Sequence, residues 1–220
     1  MMTMNKYEVI ENYLDELIPN PVCELNYFND YSLLIAIMLS AQTTDKMVNK
    51  VTEELFSKYK NLDELANADF KDLKEVLHPL GNFNKKAFNV KEIARSLLYY
   101  YDGKVPTERN LLENLPGVGR KTANVFLSEF VKVPAIAVDT HVERVTKRLK
   151  LVRPKSDVRV IERTLMRNIK KENWSKRHLQ LVLFGRYYCK AKNPLCEECG
   201  LRDICLNKSK KKKEMEEVKN

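Results

Sequence analysis

Residues 115–121 read LPGVGRK, a stretch that interrupts two segments of helical character. One proline and two glycines fall within four positions, so no regular helix runs through them. Apolar residues recur at helical spacing on both sides, at Leu111, Leu112 and Leu115 before the stretch and at Ala123, Phe126, Leu127 and Phe130 after it. The pattern predicts two helices joined by a tight turn, the first capped by Thr107 and the second beginning at Arg120.

The same helical period extends over most of the chain, and alternation of apolar and polar residues is nearly absent. Residues suited to helix N-caps, such as Thr44, Asp69 and Asn84, precede three of the apolar stripes. The run LLIAIML at 33–39 fits a buried strand by periodicity alone, but its Leu and Met content and the lack of a strand partner favour a buried helix. We therefore predict an all-α protein of about ten short helices.

The 220 residues carry a formal charge of +9, from 39 Lys and Arg against 30 Asp and Glu. Such an excess indicates a polyanionic partner, either nucleic acid or an acidic membrane surface. No apolar run reaches transmembrane length and the N-terminus lacks the apolar segment of a secretory signal, so we expect a cytoplasmic protein. Part of the basic excess lies in residues 207–220, which we interpret as a disordered, solvated tail.

The LPGVG turn brings backbone N–H groups to the start of the second helix. Gly117 and Gly119 can both adopt positive φ, and they leave no side chain in the way of an anion. A phosphate would fit that place, beside the positive charge of Arg120. An ordinary turn between two antiparallel helices also explains the stretch, although such a turn needs only one glycine.

Lys121 falls in the first turn of the second helix, where the helix dipole disfavours a cation. The position favours the neutral amine, which can attack a sugar C1′ or a carbonyl and form a Schiff base. Taken alone, however, the segment favours a phosphate contact by Lys121 over nucleophilic catalysis.

Two carboxylates allow both a structural and a catalytic interpretation. Asp139, within VDTH at 138–141, precedes a helical stripe, and N-capping explains it without any catalytic role. The same carboxylate is suited to stabilising a developing positive charge and to proton transfer. Glu113 is either a solvated helix residue or a second acid near the site.

Four of the five cysteines fall within seventeen residues, at Cys189, Cys196, Cys199 and Cys205. In a reducing compartment such a group more often holds a metal than disulfides. The spacing C-x6-C-x2-C-x5-C contains one close pair whereas zinc sites of this size usually contain two, so zinc and a 4Fe-4S cluster both remain open. Lys190, Lys192 and Arg202 would offset the thiolate charge or contact a second phosphate.

Taken together, LPGVGRKTANV, the Asp of VDTH, the cysteine spacing and LSAQTTD at 39–45 resemble the endonuclease III family. These are DNA glycosylases with an associated abasic-site lyase, within the helix-hairpin-helix superfamily. The resemblance extends from about Glu24 to Cys205 and implies two helical domains with a DNA-binding cleft between them. One domain would comprise residues 22–133, with the hairpin, and the other residues 1–21 plus 134–206, with the cluster loop.

The resemblance also implies roles for individual residues. Lys121 would attack C1′ of a nucleoside flipped out of the duplex, expel the damaged base and form a Schiff base, and β-elimination would then cut the strand. Asp139 would be the essential carboxylate. The cysteines would hold a 4Fe-4S cluster with a structural or DNA-positioning role. A monovalent cation would lie on the carbonyls of Glu113, Leu115 and Val118, as in relatives.

The expected partner is damaged double-stranded DNA, bound by a monomer that is associated with the nucleoid if the source is prokaryotic. Gln42 matches the residue that fills the gap left by the flipped base. Asn82 matches the position of an apolar wedge but is polar, so neighbouring Phe83 is an alternative. The DNA-contacting residues implied are Gln42, Asn82, Gly117, Val118, Gly119, Arg120, His141, Lys190 and Lys192. The resemblance favours removal of oxidised pyrimidines; a mismatch or adenine glycosylase and a non-catalytic DNA-binding protein are the alternatives.

Overall fold

A computed structural model of the chain describes residues 5–207, so most of the predicted tail at 207–220 lies outside the described residues. Within that range there are α-helices and short π and 3₁₀ turns but no strand, which confirms the all-α fold class. The α-helices are α1 (Lys6–Leu17), α2 (Asp30–Leu39), α3 (Asp45–Lys58), α4 (Leu62–Asn67), α5 (Phe70–Leu77), α6 (Phe83–Tyr100), α7 (Arg109–Glu113), α8 (Arg120–Phe126), α9 (Thr140–Arg148), α10 (Val158–Asn168) and α11 (Trp174–Tyr187).

The chain divides into two compact units. One is the continuous segment Cys23–Val133, with α2 to α8. The other joins Met1–Val22 to Pro134–Asn220, and its described part contains α1 and α9 to α11. Each unit has its own hydrophobic core.

The core of the Cys23–Val133 unit is built around α2. Nine of the ten residues of this helix are buried, so LLIAIML is a helix enclosed on all sides. The N-cap Asn29 accepts a hydrogen bond from the Ser32 backbone N–H at 2.9 Å, and the Ser32 hydroxyl in turn accepts one from the Asn29 N–H. This reciprocal cap satisfies donors that would otherwise be left unpaired at the start of a buried helix.

Three helix boundaries in this unit differ from the sequence prediction. The N-cap of α6 is Asn82, not Asn84, and the N-cap of α7 is Glu108, not Thr107. The second hairpin helix ends as an α-helix at Phe126 and continues as a π-helical turn through Leu127–Val131. In this turn the ring of Phe130 stacks on that of Phe126, with centroids 5.6 Å apart. Helix ends commonly shift by one or two residues, and single π turns occur as short insertions in α-helices.

In the other unit, α1 is fixed to α11 by buried polar contacts. Arg177 donates to both carboxylate oxygens of Asp15, each at 2.7 Å, and Gln180 donates to the Leu14 carbonyl at 3.0 Å. Bidentate bonds between a guanidinium and a carboxylate are strong and geometrically specific. They hold the N-terminal helix on the helix that leads directly into the cysteine loop.

No helix between residues 5 and 207 combines the length and hydrophobicity needed to cross a bilayer.

Candidate functional site

The turn between α7 and α8 depends on Gly117. This residue has φ of +76°, and a Cβ placed on it would lie 2.8 Å from Cγ of Asn89, a buried residue of α6. The Val118 N–H donates to the Leu115 carbonyl at 3.0 Å and closes the turn. Both the left-handed backbone and the close approach of α6 therefore require glycine here, and of these two reasons the sequence indicated only the first.

Gly119 behaves differently. Its φ of −101° and ψ of −180° are extended backbone, so the turn does not use the positive φ that glycine allows at this position. A Cβ on Gly119 would meet no atom within 4 Å. Gly119 is the N-cap of α8 and, having no side chain, leaves the N-terminal backbone of that helix uncovered. The fold does not need glycine at this position. The missing side chain instead leaves room for an anion to reach the N–H groups at the start of α8.

These two glycines give a matched test. Gly117→Ala should lower the free energy of unfolding by about 1–2 kcal/mol from the positive φ alone, with a further loss because Asn89 must move. Gly119→Ala should change stability by less than about 0.5 kcal/mol but weaken DNA binding, since its methyl group would project where a phosphate would lie. Denaturant unfolding and duplex binding at fixed salt measure the two effects. If Gly119→Ala binds DNA as well as the parent protein, the phosphate interpretation of the turn is wrong.

Lys121 lies in the first turn of α8, exposed beside exposed Arg120. Asp139 belongs to the other unit and is the half-buried N-cap of α9. Its Oδ1 accepts the Val142 backbone N–H at 2.8 Å, so the capping role predicted from sequence is present. Because the cap uses Oδ1, a catalytic role for this carboxylate would fall to Oδ2.

His141 lies in the first turn of α9 and is half-buried. Its Nδ1 is 3.1 Å from Nη2 of Arg144, and that Nη2 also donates to the Gly185 carbonyl at 2.6 Å. A Cβ on Gly185 would lie 2.8 Å from the His141 Cβ, so α9 and α11 touch at this point. These contacts give His141 a packing role, while its predicted DNA contact stays a prediction.

Gln42 and Asn82, the two residues implied to enter the DNA stack, lie in exposed loops of the Cys23–Val133 unit. Both have left-handed backbone, with φ of +57° and +58°. Phe83, the alternative wedge, is half-buried and its ring lies 4.9 Å from the His78 ring. Asn82 is thus better exposed for insertion than Phe83, which already packs against its own unit.

The cysteine loop borders a cavity in the unit that contains α9 to α11. All four cysteines line it, together with apolar groups and two polar ones. The other lining residues are Leu149, Phe184, Tyr188, Pro194, Leu195, Arg202 and Asn207. Burial raises the pKa of the Cys189 and Cys199 thiols, so ligation of a metal would release protons from them.

The sulfurs of Cys189, Cys196 and Cys205 each accept a hydrogen bond. Arg148 donates to Cys189 Sγ at 3.3 Å, and the Asn207 side chain and backbone donate to Cys196 and Cys205 Sγ at 3.3 and 3.4 Å. Burial raises the pKa of the Cys199 thiol, and the neighbouring Leu201 backbone and Tyr13 side chain counteract part of that rise. Donors of this kind offset the negative charge of thiolates on a cluster.

Of the three cations that the sequence suggested, Arg202 lines the cavity, while the described bonds to the sulfurs come from elsewhere. Lys190 and Lys192 are exposed, whereas Arg148 comes from α9, forty-one positions before Cys189. Arg148 also donates to the carbonyls of Lys190 and Ala191, at 2.7 and 3.3 Å. The spacing of residues in sequence gave no signal for Arg148, Asn207 or Tyr13, because they reach the cysteines only through helix packing and loop closure.

The four cysteines surround a common cavity, and thiolates are the ligands that iron–sulfur clusters and structural zinc sites both use. Within residues 5–207, no three His, Cys, Asp or Glu side chains already form a compact set of ligands for one ion. The residues that line the cavity therefore fit a metal group held by thiolates.

The all-helical fold, the glycine turn and the four-cysteine loop define a helix-hairpin-helix protein with a metal-binding loop. Residues 35–171 match the model of the HhH-GPD superfamily of base excision DNA repair proteins. Residues 189–205 match the iron-sulfur binding domain of endonuclease III. Endonuclease III from Bacillus subtilis (strain 168) is 43% identical over 213 residues, which cover 97% of each chain.

Two solved structures are also similar. A non-covalent complex of endonuclease III with DNA superposes with a TM-score of 0.90 at 42% identity, covering 96% of this chain and 100% of that one. A trapped covalent intermediate of endonuclease III with DNA, in an estranged-adenine complex, gives a TM-score of 0.90 at 43% identity, covering 96% and 99%.

The chain therefore belongs to the endonuclease III family, within the HhH-GPD superfamily of base excision DNA repair proteins. The predictions of the family, of a base excision DNA glycosylase and of an iron–sulfur site are confirmed. The roles of individual residues stay predictions.

Proposed function

We propose that this protein removes oxidised pyrimidines from duplex DNA and then cleaves the strand at the resulting abasic site. The observation that carries the proposal is Lys121, an exposed lysine in the first turn after the glycine hairpin of a member of this family. The trapped covalent complex of endonuclease III with DNA supports a reaction in which the enzyme itself attacks the DNA. We further propose that the enzyme acts as a monomer in the cytoplasm, at the nucleoid if the source is prokaryotic.

Lys121 supplies the nucleophile. Its neutral amine attacks C1′ of the flipped nucleoside while the bond from C1′ to the base nitrogen breaks, and the electron pair of that bond leaves with the base. Asp139 accepts the amine proton and passes it to O4′ as the C1′–O4′ bond breaks with its electron pair on O4′, and the amine lone pair then forms the protonated Schiff base at C1′. Removal of a proton from C2′ then breaks the C3′–O bond, whose electron pair leaves with the 3′ phosphate. Hydrolysis of the imine returns the amine.

Asp139 is the essential carboxylate. Positive charge develops on the sugar as the base departs, and a nearby carboxylate stabilises it. The same group accepts a proton during conversion of the protonated amine to the Schiff base. Its place at the start of α9, with the cap on Oδ1, holds the side chain in one orientation.

The hairpin binds the DNA backbone, and the exposed loops supply side chains that fill the gap left by the flipped nucleotide. The backbone of Gly117, Val118 and Gly119, with Arg120, binds a phosphate, and Gln42 fills the space left by the flipped nucleotide. Asn82 enters the stack as the second insertion, and side chains that fill the gap offset part of the unstacking cost. His141, Lys190 and Lys192 contribute weaker contacts to the DNA.

A monovalent cation on the carbonyls of Glu113, Leu115 and Val118 would hold the phosphate more tightly. The Leu115 carbonyl already accepts the Val118 N–H at 3.0 Å, which leaves one of its lone pairs for a cation.

The iron–sulfur group is a 4Fe-4S cluster held by Cys189, Cys196, Cys199 and Cys205. Its role would be structural, since the four cysteines that would hold it connect the C-terminal loop to the core of α9 and α11. We expect purified protein to be brown, with about four iron atoms and four sulfides per chain and visible absorbance that bleaches on reduction.

The cluster assignment is tested with two cysteine variants. Cys199→Ser should lose iron and lower the melting temperature, because folding of the loop depends on the metal. Cys23→Ser, in the other unit, should retain both iron and melting temperature. A colourless, zinc-loaded and fully active protein would contradict the cluster assignment.

The proposed function is tested by borohydride trapping of the wild-type protein on an abasic duplex and on duplexes with thymine glycol, dihydrouracil or an adenine mismatch. We expect covalent adducts on the abasic and oxidised-pyrimidine duplexes. Base release without trapping would indicate a glycosylase that uses water. Salt-sensitive binding with neither base release nor cleavage would indicate a non-catalytic DNA-binding protein.

A further inference from the structure

Lys86, in the first turns of α6, is a buried lysine outside every site described above. It is only 5% exposed, although it lies within a helix that is exposed on one side. Its Nζ donates to the Ala41 carbonyl at 3.0 Å and to the Thr43 hydroxyl at 2.9 Å. Both acceptors are uncharged, so neither bond is an ion pair that would repay desolvation of the amine.

The two acceptors lie on either side of Gln42. This residue is exposed and has φ of +57°, a left-handed conformation that costs a non-glycine residue about 1–2 kcal/mol. The turn itself is closed by the Thr43 N–H, which donates to the Ser40 carbonyl at 3.1 Å. Such a conformation persists only where the surrounding structure enforces it. Lys86 contributes to this constraint, because it donates hydrogen bonds to the residue before Gln42 and to the residue after it.

Helix α6 also reaches the two other elements proposed to meet DNA. Asn82, Lys86 and Asn89 follow one another at helical spacing and share one face of the helix. Asn82 forms the exposed loop before α6, and Asn89 lies against Gly117 of the hairpin turn. The face therefore joins the Gln42 loop, the Asn82 loop and the hairpin within one unit.

A purely structural side chain at this position would not need an amine. Burial lowers the pKa of Lys86, which reports the cost of keeping a cation there. An apolar side chain of similar length, such as methionine, would fill the same space without that cost. What methionine would lose is the pair of hydrogen bonds to the Gln42 loop.

We infer that Lys86 is a positioning residue, which holds Gln42 in the backbone conformation from which its side chain fills the gap left by the flipped nucleotide. The inference rests on the proposed function, because it requires that Gln42 enters the DNA stack. Lys86 itself touches neither the substrate nor the reacting atoms.

The inference is tested by a double-mutant cycle on Lys86→Met and Gln42→Ala. The measurements are the single-turnover rate of base release from a thymine glycol duplex and the emission of 2-aminopurine placed opposite the lesion. Lys85→Met is the matched control, since it removes the same charge from an exposed neighbouring position. Thr43→Val removes the hydroxyl that accepts one of the two Lys86 hydrogen bonds. It therefore tests the same contact if Lys86→Met folds poorly.

We expect Lys86→Met and Gln42→Ala each to slow base release by about tenfold, with the double variant no slower than the slower single one. Both should shift the 2-aminopurine emission in the same direction, Thr43→Val should shift it less, and Lys85→Met should leave it unchanged. If the effects of Lys86→Met and Gln42→Ala multiply, Lys86 acts independently of Gln42 and the inference is wrong.

Two further outcomes separate the inference from the proposed function. If Gln42→Ala has no effect while wild-type protein is still trapped on abasic DNA, the enzyme assignment stands and the positioning role is refuted. If wild-type protein neither releases thymine glycol nor becomes trapped, the proposed function fails, and the positioning role fails with it.

Discussion

Lys121→Ala is expected to abolish borohydride trapping on abasic DNA and to reduce strand cleavage on the order of 10⁴-fold or more. The physical reason is that no Schiff base forms without the primary amine. Gel analysis of reduced protein–DNA mixtures measures the adduct, and strand cleavage is measured with and without hot alkali. Residual base release, visible only after alkali, would indicate that water replaces the amine slowly.

Lys121→Arg is the matched control for loss of charge. It keeps a cation at the start of α8 and should bind abasic duplex with nearly the parent affinity, yet it should not be trapped, because a guanidinium does not form the Schiff base. Trapping of either variant at the wild-type level would show that another amine is the nucleophile.

Asp139→Asn should slow base release by about 10²–10⁴-fold while leaving the fold intact. Asparagine is as good an N-cap as aspartate, so the amide oxygen can still accept the Val142 N–H that Oδ1 accepts now at 2.8 Å. The substitution therefore removes the charge and keeps the cap. Single-turnover kinetics on an oxidised-pyrimidine duplex measure the effect, and thermal unfolding checks the helix.

Asp157→Asn provides the control. Asp157 caps α10 with the same geometry, its Oδ1 accepting the Val160 N–H at 2.8 Å, and it lies exposed on the surface. This variant should match the parent protein in both rate and melting temperature. Equal losses of activity in the two variants would mean that Asp139 acts through folding, as a cap, and not through chemistry.

Much of the fold follows from local sequence pattern. The helical period placed the starts of α3 and α5, whereas α2 was recognised as a helix from its Leu and Met content. Thr44, Asp69 and Asp139 are N-caps whose side chains accept backbone N–H groups. Capping and amphipathic periodicity act within a few residues, so they can be read without a partner segment. The cysteine spacing likewise predicted a shared site, because its ligands lie within one short loop.

The glycine turn shows which features could not be predicted from the local sequence. Two glycines two residues apart allow two left-handed positions, but only Gly117 has positive φ, because the turn closes with a single reversal. The close approach of Asn89 to Gly117 depends on how α6 packs against the hairpin. Nothing in residues 115–121 contains that information.

By itself, the sequence determined an all-helical chain, a glycine turn that exposes a helix start beside Lys121, a carboxylate cap at Asp139 and a four-cysteine loop. These features depend on residue type and short spacing. Only the tertiary structure decided that Arg148 and Asn207 donate hydrogen bonds to the cysteine sulfurs. It likewise decided that Lys86 donates hydrogen bonds to the residues before and after Gln42. Arg148 and Lys86 lie more than forty positions from their partners, and such contacts are set by the packing of whole helices, which no local pattern encodes.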